Sequence, residues 1–201
     1  MTAPRRVLLL GVIATGVAAL LTVGVMPVQA DLTVPNALHH EATSAPLAQP
    51  VYAVVFRGDV GDLLVQPGAR ASVATVREWN YAAPTVDQSL SNGVLTISTT
   101  CPHLPQDNCS VDITVALAAP ASVDAQAPVG NITTKNAGGD QVLHANVGDV
   151  DVTVPRGAYA LTAGTGRYTG DVHVDGVTND PHAPRRLVAT TRVGDVTVTG
   201  R

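Results

Sequence analysis

The 201-residue sequence predicts an all-β fold: stacked short strands forming a β-solenoid-like or two-sheet sandwich domain, preceded by one N-terminal apolar helix. Three observations carry this expectation. The first is a phrase that recurs in the last third of the chain: VDAQAPVGNITT from Val123, LHANVGDVDV from Leu143, LTAGTGRYTGDVHV from Leu161 and LVATTRVGDVTV from Leu187. Each copy holds an aliphatic anchor, alternating small residues, a Gly followed by Asp or Asn, and a second alternating strand. The anchors lie 20, 18 and 26 residues apart, a period that suits stacked units rather than independent domains. The second observation is parity. Anchor and Gly are separated by 7, 5, 9 and 7 residues, so length changes only in steps of two and no copy suffers the one-residue slip that would invert its faces. The third is composition: 45% hydrophobic but 3% aromatic residues, with 18 Gly and 14 Pro. Stacked strands can fill a thin core with β-branched residues, and Gly and Pro serve the many corners.

Taken in order, the chain opens with Arg5 and Arg6 before a charge-free run from Val7 to Met26, which as a helix is roughly 30 Å long and matches a bilayer core. Residues 1–30 are therefore a signal peptide or a membrane anchor. Val28 and Ala30 supply the small residues of a cleavage site before Asp31, whereas the length of the run favours an anchor. No Cys follows at that site to carry a lipid. Residues 31–49 show neither strand nor helix periodicity and are expected to be a flexible linker; His39, His40 and Glu41 belong to it, since adjacent side chains on an extended segment do not both face one ion easily. Residues 50–201 are expected to form one β domain.

From Val51, the runs VYAVVF, GDLLVQP, ASVATVREW, GVLTIST and SVDITVAL read as strands separated by turn residues, with antiparallel pairing expected. RGDVGDLLV from Arg57 is an imperfect early copy of the repeat, so Arg57-Gly58-Asp59 is read as a repeat corner rather than an integrin-type motif. Trp79 and Tyr81 could form a sugar-stacking platform; the reading preferred is an aromatic plug over the open end of the core. Cys101 and Cys109 are the two cysteines, and in an exported chain an even count predicts a disulfide. A metal site recruiting His103 and Asp107 fits no standard zinc spacing.

These features resemble a family. A basic amino end with one apolar segment, a Trp-bearing strand, a CP…C loop followed by SVDITVALAAPASVDA, and Gly-Asp-Val repeats are similar to the bacterial putative-adhesin family of unknown function, common in actinobacterial envelopes. The resemblance spans roughly residues 51–201. It implies an exported all-β, solenoid-like domain with no assigned activity and no catalytic residues to carry over. The chain departs from that pattern by ending directly after a Gly-Asp-Val strand, which leaves the final repeat without an obvious cap.

The corner residues Gly130, Gly148, Asp149, Gly170, Asp171, Gly194 and Asp195 are the candidate sites of interest. One Asp after a Gly is what a tight turn asks for, since Gly reaches positive φ and Asp bonds nearby amides. A calcium ladder would need the denser nonapeptide repeat. Nucleophile-elbow, zinc-protease and phosphate-loop signatures are absent from the sequence, and Glu41 and Glu78 are its two glutamates. A net charge of −4 without a basic stripe excludes a nucleic-acid partner. No cofactor is expected.

The function expected is thus a non-enzymatic cell-envelope module whose partner is a protein, a polysaccharide or another copy of the chain. Its outward Asp151, Thr153, His173, Thr197 and Thr199 would make a flat, mildly acidic face. The competing class is a carbohydrate-active β-helix enzyme using Asp149, Asp171 and Asp195 with Arg167 or Arg192. A third, a signalling partner for membrane proteins, requires residues 7–26 to stay in the membrane.

Overall fold

A computed structural model describes residues 37–102, 108–166 and 170–201. Alternating residues dictate strands, and every regular element among the described residues is a strand. Numbered in chain order, they form two mixed eight-stranded sheets. The first runs, edge to edge, β1 (His39–Pro46), β4 (Ser72–Trp79), β7 (Ser110–Leu117), β3 (Leu63–Pro67), β9 (Ile132–Lys135), β11 (Val150–Val154), β16 (Val196–Gly200) and β13 (Val172–Asp175). The second runs β14 (Val177–Asn179), β12 (Gly157–Gly164), β15 (Arg186–Val193), β10 (Gly138–Val147), β8 (Ala121–Val129), β2 (Ala53–Arg57), β6 (Val94–Thr100) and β5 (Thr85–Ser91).

The repeated phrase is one unit of this architecture: a strand in the second sheet, a corner, and a strand in the first. β8–β9, β10–β11, β12–β13 and β15–β16 are the four recognised copies, and β2–β3 and β6–β7 obey the same rule. Because each unit carries its next strand across to the opposite sheet, neighbours within a sheet come from different units and run parallel. The antiparallel pairing expected after Val51 holds for β4 with β7 and β5 with β6 and is corrected for β2 with β6 and β3 with β7, which are parallel. Among the described residues the one other antiparallel ladder joins β1 to β4.

The stacking order is not the chain order. β15–β16 lies between β10–β11 and β12–β13, and β2–β3 lies between β6–β7 and β8–β9. The last repeat is therefore internal, and the outermost repeat unit at that end is β12–β13, which continues through Gly176 into β14.

Alternation fills one shared core from both sheets. Val54, Phe56, Leu63, Val65, Val123, Ile132, Val150, Val152, Val196 and Val198 are all buried in it, and Phe56 and Tyr159 are its rings. The anchors need one correction. Val123, Leu187 and Leu161 stand in register not with Leu143 but with Gln141, seven residues before its Gly in the same way as Val123 and Leu187. Gln141 is 1% exposed, and its Oε1 accepts the hydroxyl of buried Thr134 at 2.6 Å. Its polarity hid it from a search for aliphatic anchors.

The expected linker is corrected too. His39–Pro46 forms edge strand β1, paired residue for residue with β4 from His39↔Trp79 to Pro46↔Ser72. Its side chains are mostly exposed, so no hydrophobic alternation announced it; ion pairs and ladder bonds hold it. The apolar run Val7–Met26 lies outside the described residues.

Candidate interaction surfaces

The repeat corners align into a ridge. A Cβ added to Gly130 would sit 1.9 Å from the Gly61 carbonyl oxygen, one on Gly148 2.1 Å from that of Gly130, one on Gly194 2.3 Å from that of Gly148, and one on Gly170 1.9 Å from that of Gly194. Close approach of backbone to backbone therefore requires glycine along the column. Gly148 and Gly194 also adopt φ of +139° and +135°; Gly170 is excluded from a side chain by approach alone.

Beside the glycines runs a ladder of side-chain acceptors. Asp112 Oδ1 accepts the Asp62 amide at 2.9 Å, Asp62 Oδ1 that of Asn131 at 2.8 Å, and Asn131 Oδ1 that of Asp149 at 2.8 Å. Asp149 Oδ1 then accepts the Asp195 amide, and Asp195 Oδ1 the Asp171 amide, each at 2.8 Å. Asp62, Asp112, Asp149 and Asp195 thus bond the next unit of the stack rather than their own turn, and Asp171, at the end of the ladder, contributes its amide. Asn131 holds the Asp-or-Asn position read after each repeat Gly, whereas Asp62 and Asp112 were missed from sequence because neither stands in a Gly-Asp-Val phrase.

The early copy is likewise shifted. The corner glycine of β2–β3 is Gly61, at φ +130°, not Gly58. The Arg57-Gly58-Asp59 tripeptide is engaged internally: Arg57 donates to both oxygens of Asp124 at 3.1 Å, and Asp59 Oδ2 accepts the Cys101 amide at 3.0 Å.

Two surfaces flank the ridge. Val129, Val147 and Val193 stand in register on adjacent strands, each nearly half exposed, and Val60 bridges to Val129. On the outer face of the first sheet, a shallow groove of about 370 Å³ is lined by Asp62, Asp112, Asp149, Asp151 and Lys135 among others. Desolvation raises the pKa of Asp151, and the charges of Asp149 and Asp195 raise it further against a hydrogen bond from Thr197. Thr153, Thr197 and Thr199 are partly exposed on this face, and His173 is exposed.

At the β1 end of the stack, ring and charge contacts replace bare valines. The His39 and Trp79 rings stack with centroids 5.4 Å apart, and the Arg77 guanidinium lies 5.7 Å from the Trp79 ring while donating to Glu41 at 2.6 Å. Tyr81 falls beyond the end of β4 and is 47% exposed, so it does not share the Trp79 face as a strand neighbour. Cys101 and Cys109 are disulfide-bonded, with Cα atoms 5.8 Å apart. The bond closes the corner of β6–β7, where other units turn at a glycine. His103, Asp107 and Arg167 lie outside the described residues.

Among the described residues, no group of three His, Cys, Asp or Glu is placed to hold a metal ion. Asp149, Asp171 and Asp195 follow one another along the ridge, and Asp149 and Asp195 each use an oxygen to bind a backbone amide. General acid–base chemistry needs groups free to act on one substrate atom, and here Asp149 and Asp195 are each engaged with a neighbouring amide. Among the described residues, no helix is long and apolar enough to cross a membrane.

No family model and no curated protein matches the chain. Among solved structures, a putative cell adhesion protein from Clostridium sporogenes is similar at 9% identity, covering 81% of this chain and 100% of its own, with a TM-score of 0.48. A putative adhesin from Parabacteroides merdae is similar at 12% identity over 79% of this chain and 80% of its own, with a TM-score of 0.38. A putative lipid binding protein from Parabacteroides distasonis is similar at 9% identity over 81% and 96%, with a TM-score of 0.27. Likeness at this level assigns the chain no activity.

Proposed function

We propose that the protein is a non-enzymatic, adhesin-like module of the cell envelope, a β-solenoid-like stack of Gly-Asp-Val units that acts by presenting regular surfaces to a protein or polysaccharide partner. The observation that carries this reading is the acceptor ladder from Asp112 to Asp171. It gives the most conspicuous acidic residues a structural duty along a ridge, and flat regular faces suit polymer contact better than a water-excluding reaction site. Residues 1–30 are the export signal or anchor of this proposal, and the disulfide fits an oxidising compartment. The resemblance to actinobacterial envelope proteins belongs to the same proposal.

Two measurements test it. A reporter active only in the cytoplasm, fused after Arg201, should be silent; strong signal would place the domain on the wrong side of the membrane. The purified protein should retain cell-wall glycan or envelope protein in a pull-down and show no turnover of glycan substrates. Turnover lost in Asp171→Ala or His173→Ala, with the melting temperature unchanged, would establish the enzyme instead.

A further inference from the structure

The two edges of the first sheet are finished differently. β1 bears Pro46 and two ion pairs to its neighbour, Glu41 with Arg77 and His40 with Glu78, and inward-pointing charge and proline are the devices that keep an edge strand from recruiting another chain. β13, at the opposite edge, carries neither among the described residues. Among them it pairs with β16 alone, and Val172 and Val174, which alternation would place in the core, remain 44% and 40% exposed. Their inward neighbours at this end, Leu161, Ala163 and Val177, are only partly buried. The remaining side chains of β13, His173 and Asp175, are exposed on the outer face.

The strand Val172-His173-Val174-Asp175 is complementary to itself. Laid antiparallel against a second copy with Val174 opposite Val174 on the two-fold axis, His173 of each copy faces Asp175 of the other on the outer face. Val172 faces the Gly176 corner, at φ +71°, where the chain turns out of the sheet and no side chain stands to clash. Directly opposed residues of an antiparallel pair share a face, so the valines meet over the open core while His173 and Asp175 meet outside. A shift by one residue opposes apolar to charged side chains.

We infer that β13 is a self-association edge through which two copies of this chain join their first sheets, two-fold symmetric about Val174. The isologous contact closes at two copies and cannot grow. The inference rests on reading the chain as a module that works by contact, and names one such partner as a second copy of itself.

The test uses the full chain in expressing cells, where the bonded Cys101 and Cys109 leave an introduced cysteine as the single thiol. Val174→Cys should give an oxidant-induced dimer of twice the chain mass on non-reducing gels. Val172→Cys should not, because the two-fold arrangement separates its copies by four residues, beyond disulfide reach. In the Val174→Cys background, His173→Asp opposes two pairs of carboxylates and should lower the crosslinked fraction by roughly tenfold. Adding Asp175→His should restore it, at an unchanged melting temperature. No dimer with Val174→Cys, equal crosslinking at 172 and 174, a crosslink to a different protein, or no recovery in the double swap would each overturn the inference. Dimer loss with glycan or protein capture intact counts against the edge alone; catalytic turnover counts against the contact reading while leaving the edge to stand on its crosslink.

Discussion

Thr134 donates its hydroxyl to Gln141 at 2.6 Å inside a core where both residues are essentially without solvent contact. The pair links β9 of one sheet to β10 of the other. Removing the hydroxyl alone, as Thr134→Val, leaves a buried amide oxygen without it and is expected to cost about 1–3 kcal/mol. Gln141→Leu combined with Thr134→Val, which makes the column aliphatic like its neighbours, should recover most of that loss. A urea-denaturation double-mutant cycle measures it, and a double variant as unstable as Thr134→Val would show that the pair is not what matters there.

Gly148 is the corner where two restrictions coincide. Gly148→Ala puts a Cβ against the Gly130 carbonyl and holds an alanine at φ +139°. The expected loss is at least about 1–3 kcal/mol from the backbone conformation, before the collision is added. Gly157, also at positive φ but with open space around it, is the control, and Gly157→Ala should be the milder of the two in thermal melts.

The acceptor ladder predicts a distinction between charge and shape. Asp149→Asn keeps an oxygen for the Asp195 amide and should change the melting temperature little. Asp149→Ala removes it and should cost on the order of 1 kcal/mol, the size of one net hydrogen bond. Equal effects of the two substitutions would mean that charge, not acceptor geometry, is what the corner needs.

Asp151 predicts a pH dependence. Its folded pKa is raised above 3.8 by desolvation and by Asp149 and Asp195, so the folded state binds the proton more readily than the unfolded state. Stability from this group is present below 3.8 and is lost as pH rises from there through the raised folded value. Asp151→Asn should flatten that part of the stability–pH curve; a variant whose curve matches the parent would rule the effect out.

The disulfide closes a short loop, for which chain entropy gives about 2–3 kcal/mol. Thiol labelling of the unfolded, unreduced protein should find neither cysteine free. Cys101→Ala with Cys109→Ala should still fold, with lowered stability, because the β6–β7 strands are also held by β2 and β3.

Strands and faces were readable in the sequence because alternation is a local signal: Val150, Val152 and Val154 point inward as their spacing requires. Pairing was not, because it depends on which unit lies beside which. Nothing local distinguishes Leu187, whose unit is internal, from Leu161, whose unit ends the stack, and so the same pattern that buries Val196 and Val198 leaves Val172 and Val174 exposed. β1 escaped notice since its partners are 38 and 36 residues away, in the ion pairs with Glu78 and Arg77. At the candidate ridge the glycines, Asn131 and three aspartates were visible, while Asp62 and Asp112 become comparable to them only once the corners are seen to align.

The order of stacking bears on how the protein is made. β12 has β15 as its long partner and β13 has β16, and both partners are synthesised later. A chain emerging from a ribosome can lay β8–β9 and β10–β11 against what precedes them, but β12 and β13 must wait with their apolar positions unshielded until β15 and β16 arrive between them and the rest of the stack. A nascent chain stopped short of Arg186 would therefore lose more than its missing residues: the preceding unit would have nowhere to dock. Proteases would find that unit open in every incomplete copy, and closed in finished ones.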